Sequence, residues 1–245
     1  MWVSAKYWFA ILTRTFDLAD TPPRRPLSPT PPCPLPRRHF LTGALSLAAM
    51  PTALIATLDP AQGANSKPAA AAAVQRVETY LNSVKTLSAR FLQVDSAGSV
   101  AHGQLYMRRP GRLRFEYDAP SPLLLVADGV WLVLYDKELN QVNRFPLYET
   151  PLGVLVDDPV NLREKVEVVD VQESPGILRL KVIDRELPDE GWMGITFTEP
   201  PLLLRQWKIK DAQGSITALS LTDIRVNRKL DPELFVFTDP VTFRE

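Results

Sequence analysis

The stretch from Gly103 to Asp136, GQLYMRRPGRLRFEYDAPSPLLLVADGVWLVLYD, constrains the fold more than any other part of the chain. It consists of short segments rich in Leu, Val, Phe, Tyr and Trp, separated by Pro-Gly, by a proline-rich turn and by Asp-Gly. Short apolar segments with turn residues between them are typical of an antiparallel meander, and Asp-Gly between two such segments is a strong hairpin signal. The sequence therefore predicts a protein built mainly from β-strands.

One helix is predicted before these strands, from Ala69 to Lys85. Its apolar residues Val74, Val77, Leu81 and Val84 recur at steps of three and four, which places them along one face of a helix. Such a stripe indicates a helix that packs against the rest of the domain.

The strand pattern is interrupted between Tyr148 and Lys165. Thr150 before Pro151 predicts the start of a short helix, and a second one is predicted after Asp158-Pro159. The short apolar face of the first helix consists of Leu152, Leu155 and Val156. Strand patterns resume after this insert and continue almost to the end of the chain.

The sequence thus predicts about ten or eleven strands and very little helix. An antiparallel sheet of this size curls, closes or splits into two. One long helix and a short insert are too small to cover its concave face. We therefore expect a single curved sheet around an apolar groove that its own helices fill only in part.

The first part of the chain has a different composition from the rest. Residues 1–36 are rich in proline, and we expect an extension outside the folded domain, either a tail or the product of a start codon assigned too far upstream. Residues 37–63 resemble a signal peptide of the twin-arginine type, with Arg37-Arg38 before an apolar run and small residues at its end. A transmembrane anchor is the alternative. Residues 64–245 are then the exported domain.

Composition excludes several kinds of function. The chain has 28 basic and 28 acidic residues, so no excess of positive charge points to nucleic acid. Its one cysteine, Cys33, lies in the leader, and the domain retains a single histidine, His102. We therefore expect no disulfide, no metal site and no cofactor. Most carboxylates stand in predicted turns, and a hydrolase with paired carboxylates stays open as an alternative.

A set of large apolar residues occupies alternating positions of the predicted strands. They are either ordinary core or the wall of a ligand groove, and the small amount of helix favours a groove for at least part of the set. The candidates are Phe91, Leu113, Phe115, Tyr117, Leu124, Val126, Trp131, Val133, Phe197 and Trp207.

The order of motifs resembles the LolA family of periplasmic outer-membrane lipoprotein carriers. An amphipathic helix is followed by ARFLQ, by GQLYMRRPGRLRFEYDAP, by LLVADGVWLVLYD and by a terminal LFVFTDP. The resemblance covers Val74 to Pro240. The combination RPGRLRFEY followed by LVADG is specific, although each fragment alone is weak.

The resemblance implies a fold and a function. The fold is an incomplete, half-open barrel of about eleven antiparallel strands, with helices forming a lid over an apolar cavity. Leu81 and Val84 of the first helix, and Leu152 and Leu155 of the insert, would complete the cavity wall. Arg109, which precedes Pro110, would hold the lid shut through the backbone of the lid helices.

By the same resemblance, the protein would be a monomeric, non-enzymatic carrier in the periplasm. Its cargo would be acylated lipoproteins, received from an inner-membrane ATP-driven lipoprotein-releasing complex and passed to an outer-membrane acceptor. A related half-barrel sensor or lipid-transport protein is the alternative. An outer-membrane acceptor of similar fold is disfavoured, because no cysteine that could be lipidated follows the leader.

Overall fold

A computed structural model describes residues 67–240 of the 245-residue chain. The predicted N-terminal extension and signal peptide, with Cys33, lie outside the described residues. Within the described part of the chain, no helix is both long enough and apolar enough to cross a membrane.

The described residues form one antiparallel sheet of eleven strands, as the sequence predicted. Each predicted strand is present, with boundaries that differ by a few residues at most. The strands are β1 (Thr86–Asp95), β2 (Val100–Arg108), β3 (Arg112–Tyr117), β4 (Leu123–Asp128), β5 (Trp131–Asp136), β6 (Gln141–Pro146), β7 (Val166–Ser174), β8 (Ile177–Asp184), β9 (Gly191–Thr198), β10 (Leu203–Asp211) and β11 (Ile216–Val226).

The strand order shows where the sheet stays open. It runs β6-β5-β4-β3-β2-β1-β11-β10-β9-β8-β7, so the first and last strands pair in the middle and β6 and β7 form the two edges. The edges do not pair with each other, and the barrel is therefore incomplete. The chain passes from one edge to the other through the insert between β6 and β7, which brings the insert to the open side.

In the described part of the chain, three α-helices accompany the sheet: α1 (Lys67–Ser83), α2 (Pro151–Val156) and α3 (Leu162–Lys165). The predicted long helix and both helices of the insert are thus confirmed. Pro151 occupies the first turn of α2, where its missing N–H has no helical partner to lose. Asn161 begins α3 by accepting a hydrogen bond from the backbone N–H of Glu164 at 3.3 Å.

Strand β3 shows how the sequence divides the two faces of the sheet. Leu113, Phe115 and Tyr117 are buried, whereas the alternating Arg114 and Glu116 are only partly buried. The first three lie on the concave face, towards the helices, because successive side chains of a strand point to opposite sides. Most of the buried apolar side chains form one cluster on this face.

The C-terminal segment covers part of the convex face. Phe235 is buried, the Arg114 guanidinium donates to the Leu234 carbonyl at 3.2 Å, and Arg144 pairs with Asp239 at 2.6 Å. Residues 123–127 of β4 are consequently buried on both faces, although β4 lies near the edge of the sheet.

Candidate functional site

An apolar cavity lies between the concave face of the sheet and helices α1 and α2. Its volume is about 20 Å³, measured as the space open to the centre of a water-sized sphere. The wall consists of aliphatic and aromatic side chains, apart from one guanidinium and one phenol hydroxyl. The lining residues are Tyr80, Leu81, Val84, Leu87, Leu105, Met107, Arg109, Leu113, Leu152, Leu155, Val156, Leu204, Trp207 and Leu221.

The cavity is closed and nearly filled: all of its lining residues are buried except Tyr80, which is partly buried. A single water molecule needs about 10–15 Å³ on the same scale, so the space holds little more than one. The groove expected from the sequence is therefore nearly filled, because Leu81 of α1, Val84 just after α1 and the leucines of α2 line it. A ligand of more than a few atoms could enter only if the helices moved away from the sheet.

The guanidinium of Arg109 joins the two helices to the sheet. Arg109 follows directly after β2 and is 6% exposed. Its Nη1 donates to the carbonyl of Leu81 in the last turn of α1, and its Nη2 donates to the carbonyl of Leu155 at 2.6 Å, at the end of α2. The last carbonyls of a helix have no partner within the helix, and a planar guanidinium with five donors can serve two of them at once.

Burial makes this arrangement costly for the cation. It lowers the pKa of Arg109 to about 10, against the opposing influence of Asp158, Tyr80 and Asp157. The group is still protonated at neutral pH. Its Nε is buried and has no hydrogen-bond partner among the described residues, which costs further free energy. Helices α1 and α2 are therefore joined to the sheet by charge-assisted hydrogen bonds whose strength is partly offset by burial of the cation.

The backbone of the same turn reinforces the contact. The N–H of Arg109 donates to the carbonyl of Lys85 at 2.9 Å, and the N–H of Gly111 donates to the carbonyl of Val156 at 2.8 Å. Gly111 has a φ of +67°, and a Cβ there would lie 2.7 Å from the Cα of Gly129. Glycine is thus required for this turn to approach both α2 and the next hairpin.

Side chains of α1 also bind the insert near the start of α3. The amide of Asn82 donates to the carbonyl of Val160 at 3.0 Å and accepts from its N–H at 2.8 Å. The carboxylate of Glu78 accepts from the N–H of Leu162 at 3.0 Å. These contacts fix α1 against the segment that carries α3.

The structure brings together about half of the apolar residues that the sequence suggested. Leu81, Val84, Leu113, Leu152, Leu155 and Trp207 line the cavity together with Arg109. Phe91, Phe115, Tyr117 and Phe197 are buried in the core cluster of the concave face but do not line the closed cavity.

Four of the suggested residues lie on the other side of the sheet: Leu124, Val126, Trp131 and Val133. Leu124 and Val126 pair with Glu116 and Arg114 of β3, and Val133 pairs with Val126, which places all of them on the convex face. Trp131 is two positions from Val133, hence on the same face, and is 44% exposed. The prediction that these four residues line the cavity is wrong.

Several lining residues were missed by the sequence reasoning. Leu105 and Met107 of β2 share the face of Arg109, and this alternation of i, i+2 and i+4 could have identified them. Val156 belongs to the predicted apolar face of α2 but was not among the candidates, and no local pattern singles out the rest, which reach the cavity from distant parts of the chain. They are Tyr80, Leu87, Val156, Leu204 and Leu221.

Comparison with known proteins identifies the family. Residues 82–238 match the family model described as outer membrane lipoprotein carrier protein LolA. A protein of Halorhodospira halophila named outer-membrane lipoprotein carrier protein is 32% identical over 77% of this chain and 88% of its own length. Proteins of the same name from Pseudomonas paraeruginosa and Nitrosomonas europaea are 32% and 31% identical over 69% and 71% of this chain, and over 85% and 88% of their own lengths.

Among solved structures, a LolA superfamily protein from Nitrosomonas europaea aligns over 69% of this chain and 97% of its own, with 10% identity. Its TM-score of 0.40 is too low to carry any part of the assignment. The sequence match over most of the domain is sufficient by itself: the chain belongs to the LolA family of outer-membrane lipoprotein carrier proteins.

Proposed function

We propose that this protein shields the acyl chains of lipoproteins in the cavity beneath α1 and α2 and carries them across the periplasm. The observation that carries the proposal is a closed apolar cavity whose roof is fastened to the sheet by the buried guanidinium of Arg109. The wall is otherwise apolar, and the Nη atoms of Arg109 and the hydroxyl of Tyr80 are already bonded to backbone atoms. The helices above the cavity can be released by breaking a few hydrogen bonds.

The free energy of acyl transfer explains why a carrier needs a closed empty state. Each buried methylene is stabilised by about 0.8 kcal/mol, so a chain of about sixteen carbons gains on the order of 12 kcal/mol on leaving water. A carrier that offered all of this would not release its cargo. The free energy needed to open the lid is subtracted from the apparent affinity, because only the open fraction binds.

In this proposal Arg109 sets the opening free energy. The fork of the guanidinium bridges α1, which precedes the first strand, and α2, which lies between β6 and β7. Both helices separate from the sheet only when both bonds break. Loading then replaces Arg109 contacts with acyl contacts, and closure after delivery restores them.

The proposed route has two further partners. An inner-membrane ATP-driven complex would load the carrier, and an outer-membrane acceptor with higher affinity would unload it. The carrier itself would supply no reaction; it would act as a monomer in the periplasm and lower the barrier for a lipid anchor to cross water.

The test is extraction of a lipoprotein from membranes. The purified protein is mixed with inner-membrane vesicles that contain a triacylated lipoprotein and its extraction complex, and ATP is added. We expect the lipoprotein to appear in the soluble fraction as a one-to-one complex with this protein. As a control, the same lipoprotein made without its acyl chains is mixed with the protein and should not form the complex.

Failure would take one of two forms. If the acylated lipoprotein stays in the membrane while the protein binds free lipid, the cavity serves lipid transport or sensing instead. If the complex forms equally with the unacylated form, the cavity is not the binding site.

A further inference from the structure

A pile of aromatic rings, formed by Phe91, Phe115 and Tyr117, lies on the concave face next to the cavity. Phe91 meets Phe115 at 5.4 Å and Tyr117 at 5.0 Å between ring centroids, with the rings nearly perpendicular in both pairs. Phe115 also meets Trp207, a residue of the cavity wall, at 6.3 Å. The pile is therefore continuous with the wall but lies outside the closed cavity.

The position of the pile along the sheet is fixed by β3. Leu113 lines the cavity, and Phe115 and Tyr117 follow on the same face at steps of two residues. With a rise of about 3.4 Å per residue, their backbones stand about 7 and 14 Å farther from the turn that carries Arg109. The pile is thus at the end of the cavity opposite the latch formed by Arg109.

Two features hold the rings in place. A Cβ on Gly103 would lie 2.6 Å from the ring atoms of Phe91, so the ring rests directly on the backbone of β2 where this strand has no side chain. The Tyr117 hydroxyl donates to Oε1 of Gln93 at 2.8 Å, and both side chains are buried. Burial raises the pKa of Tyr117, which keeps the phenol protonated as the donor.

The other end of the cavity is bounded quite differently. Leu152, Leu155 and Val156 belong to a six-residue helix whose contacts with the hairpin include the bonds to Arg109 and Gly111. We expect this short helix to move as a unit when those bonds break. The space for a ligand should therefore grow towards the lid, while the aromatic end stays in place.

We propose that Phe91, Phe115 and Tyr117 form the end wall of the acyl site and set the length of chain that the protein can hide from water. The proposal rests on the proposed carrier function and adds a limit to it. Carbons within this length are buried, and carbons beyond it remain near the lid and gain little.

The test uses a series of soluble N-acyl dipeptides with saturated chains of increasing length, binding to the full protein as purified from the periplasm. Each methylene that enters the cavity should tighten binding about four-fold, and the gain should stop at a defined chain length. The free energy of lid opening is the same for every member of the series, so it does not move this break.

Phe115→Ala should move the break to chains about two to four carbons longer, because the space of a deleted ring is refilled only in part. Leu105→Phe places a ring beside Phe115 and should move the break to shorter chains. Phe235→Ala is the matched control: it deletes an equally buried ring on the convex face and should leave the break unchanged.

Each outcome decides the matter. An unchanged break in a folded Phe115→Ala, or in Leu105→Phe if the first variant does not fold, overturns the end wall while the carrier function stands. A shift of the break in Phe235→Ala of the same size would also overturn it. Absence of any gain with chain length in the unaltered protein would instead remove the proposed function, and the end wall with it.

Discussion

Replacing Arg109 with leucine should strengthen the binding of acyl chains. The substitution removes the donors to Leu81 and Leu155 and puts an apolar side chain in the cavity wall. The closed empty state loses these bonds, whereas an open, loaded state does not use them. A larger fraction of the protein is then competent to bind, and the apparent dissociation constant falls.

The magnitude follows from two opposing effects. Two hydrogen bonds from a charged donor stabilise the closed state by about 3–6 kcal/mol. Burial of the cation, which also lowers its pKa, opposes this by about 2–4 kcal/mol. The midpoints of these two ranges differ by about 1.5 kcal/mol in favour of the closed state, and at about 1.4 kcal/mol per ten-fold change the variant should bind on the order of 10-fold more tightly.

The measurement is the dissociation constant of one N-acyl dipeptide for the unaltered protein and its variants, followed by the rate at which loaded protein gives up a lipoprotein to acceptor membranes. Arg108→Leu is the matched control, since Arg108 precedes Arg109 but lies on the convex face, opposite Arg112 of β3. The affinity of Arg109→Lys should lie between those of the unaltered protein and Arg109→Leu, because a single ammonium cannot bond both carbonyls as the guanidinium does.

The reasoning is refuted if Arg109→Leu binds the dipeptide with unchanged or weaker affinity while its sheet remains folded. We expect Arg109→Leu to give up its lipoprotein more slowly. Tighter binding with an unchanged transfer rate would refute the idea that lid closure drives release. An equal gain in Arg108→Leu would show that positive charge near the hairpin matters, and not the bridge between the helices.

Three further variants test other parts of the structure. Asn82→Ala removes two hydrogen bonds to Val160 and should destabilise the insert by about 1–3 kcal/mol. Amide hydrogen exchange should become faster at Val160 and stay unchanged in the central strands. Equal acceleration throughout the sheet would contradict a lid that opens separately. Gly103→Ala cannot fit beside the carbonyl of Glu116 at 2.2 Å, so the melting temperature should fall sharply, and a fall as small as that of a surface substitution would show that this approach is wrong. Phe235→Ala should cost about 3–5 kcal/mol in denaturant unfolding but leave acyl affinity unchanged; lost affinity would mean that the convex face takes part in binding.

Most of the architecture could be predicted from local patterns. The turn residues between apolar segments located all eleven strands, and the spacing of Val74, Val77, Leu81 and Val84 located α1. Pro151 located the start of α2. These features depend on interactions between residues close in sequence, so a single chain without relatives suffices to identify them.

The residues of the cavity were predicted only where a strand alternates clearly. In β3, charged residues alternate with Leu113, Phe115 and Tyr117, so the concave face is evident. Strand β4 is apolar at five successive positions. Such a run does not show which residues face the concave side, and Val126 was therefore assigned to the wrong face. The connection between β3 and β4 is too long for a turn type to fix the register.

The sequence by itself thus determined the strands, the helices, the turns between them and the family, since each depends on neighbouring residues or on motif order. Tertiary structure decided which apolar side chains face the ligand. Val126 is buried because the turn that contains Phe235, about a hundred residues later, packs against the convex face of β3 and β4. The role of Arg109 was decided in the same way, because its two acceptor carbonyls belong to helices on either side of it in the chain and meet only in the folded protein.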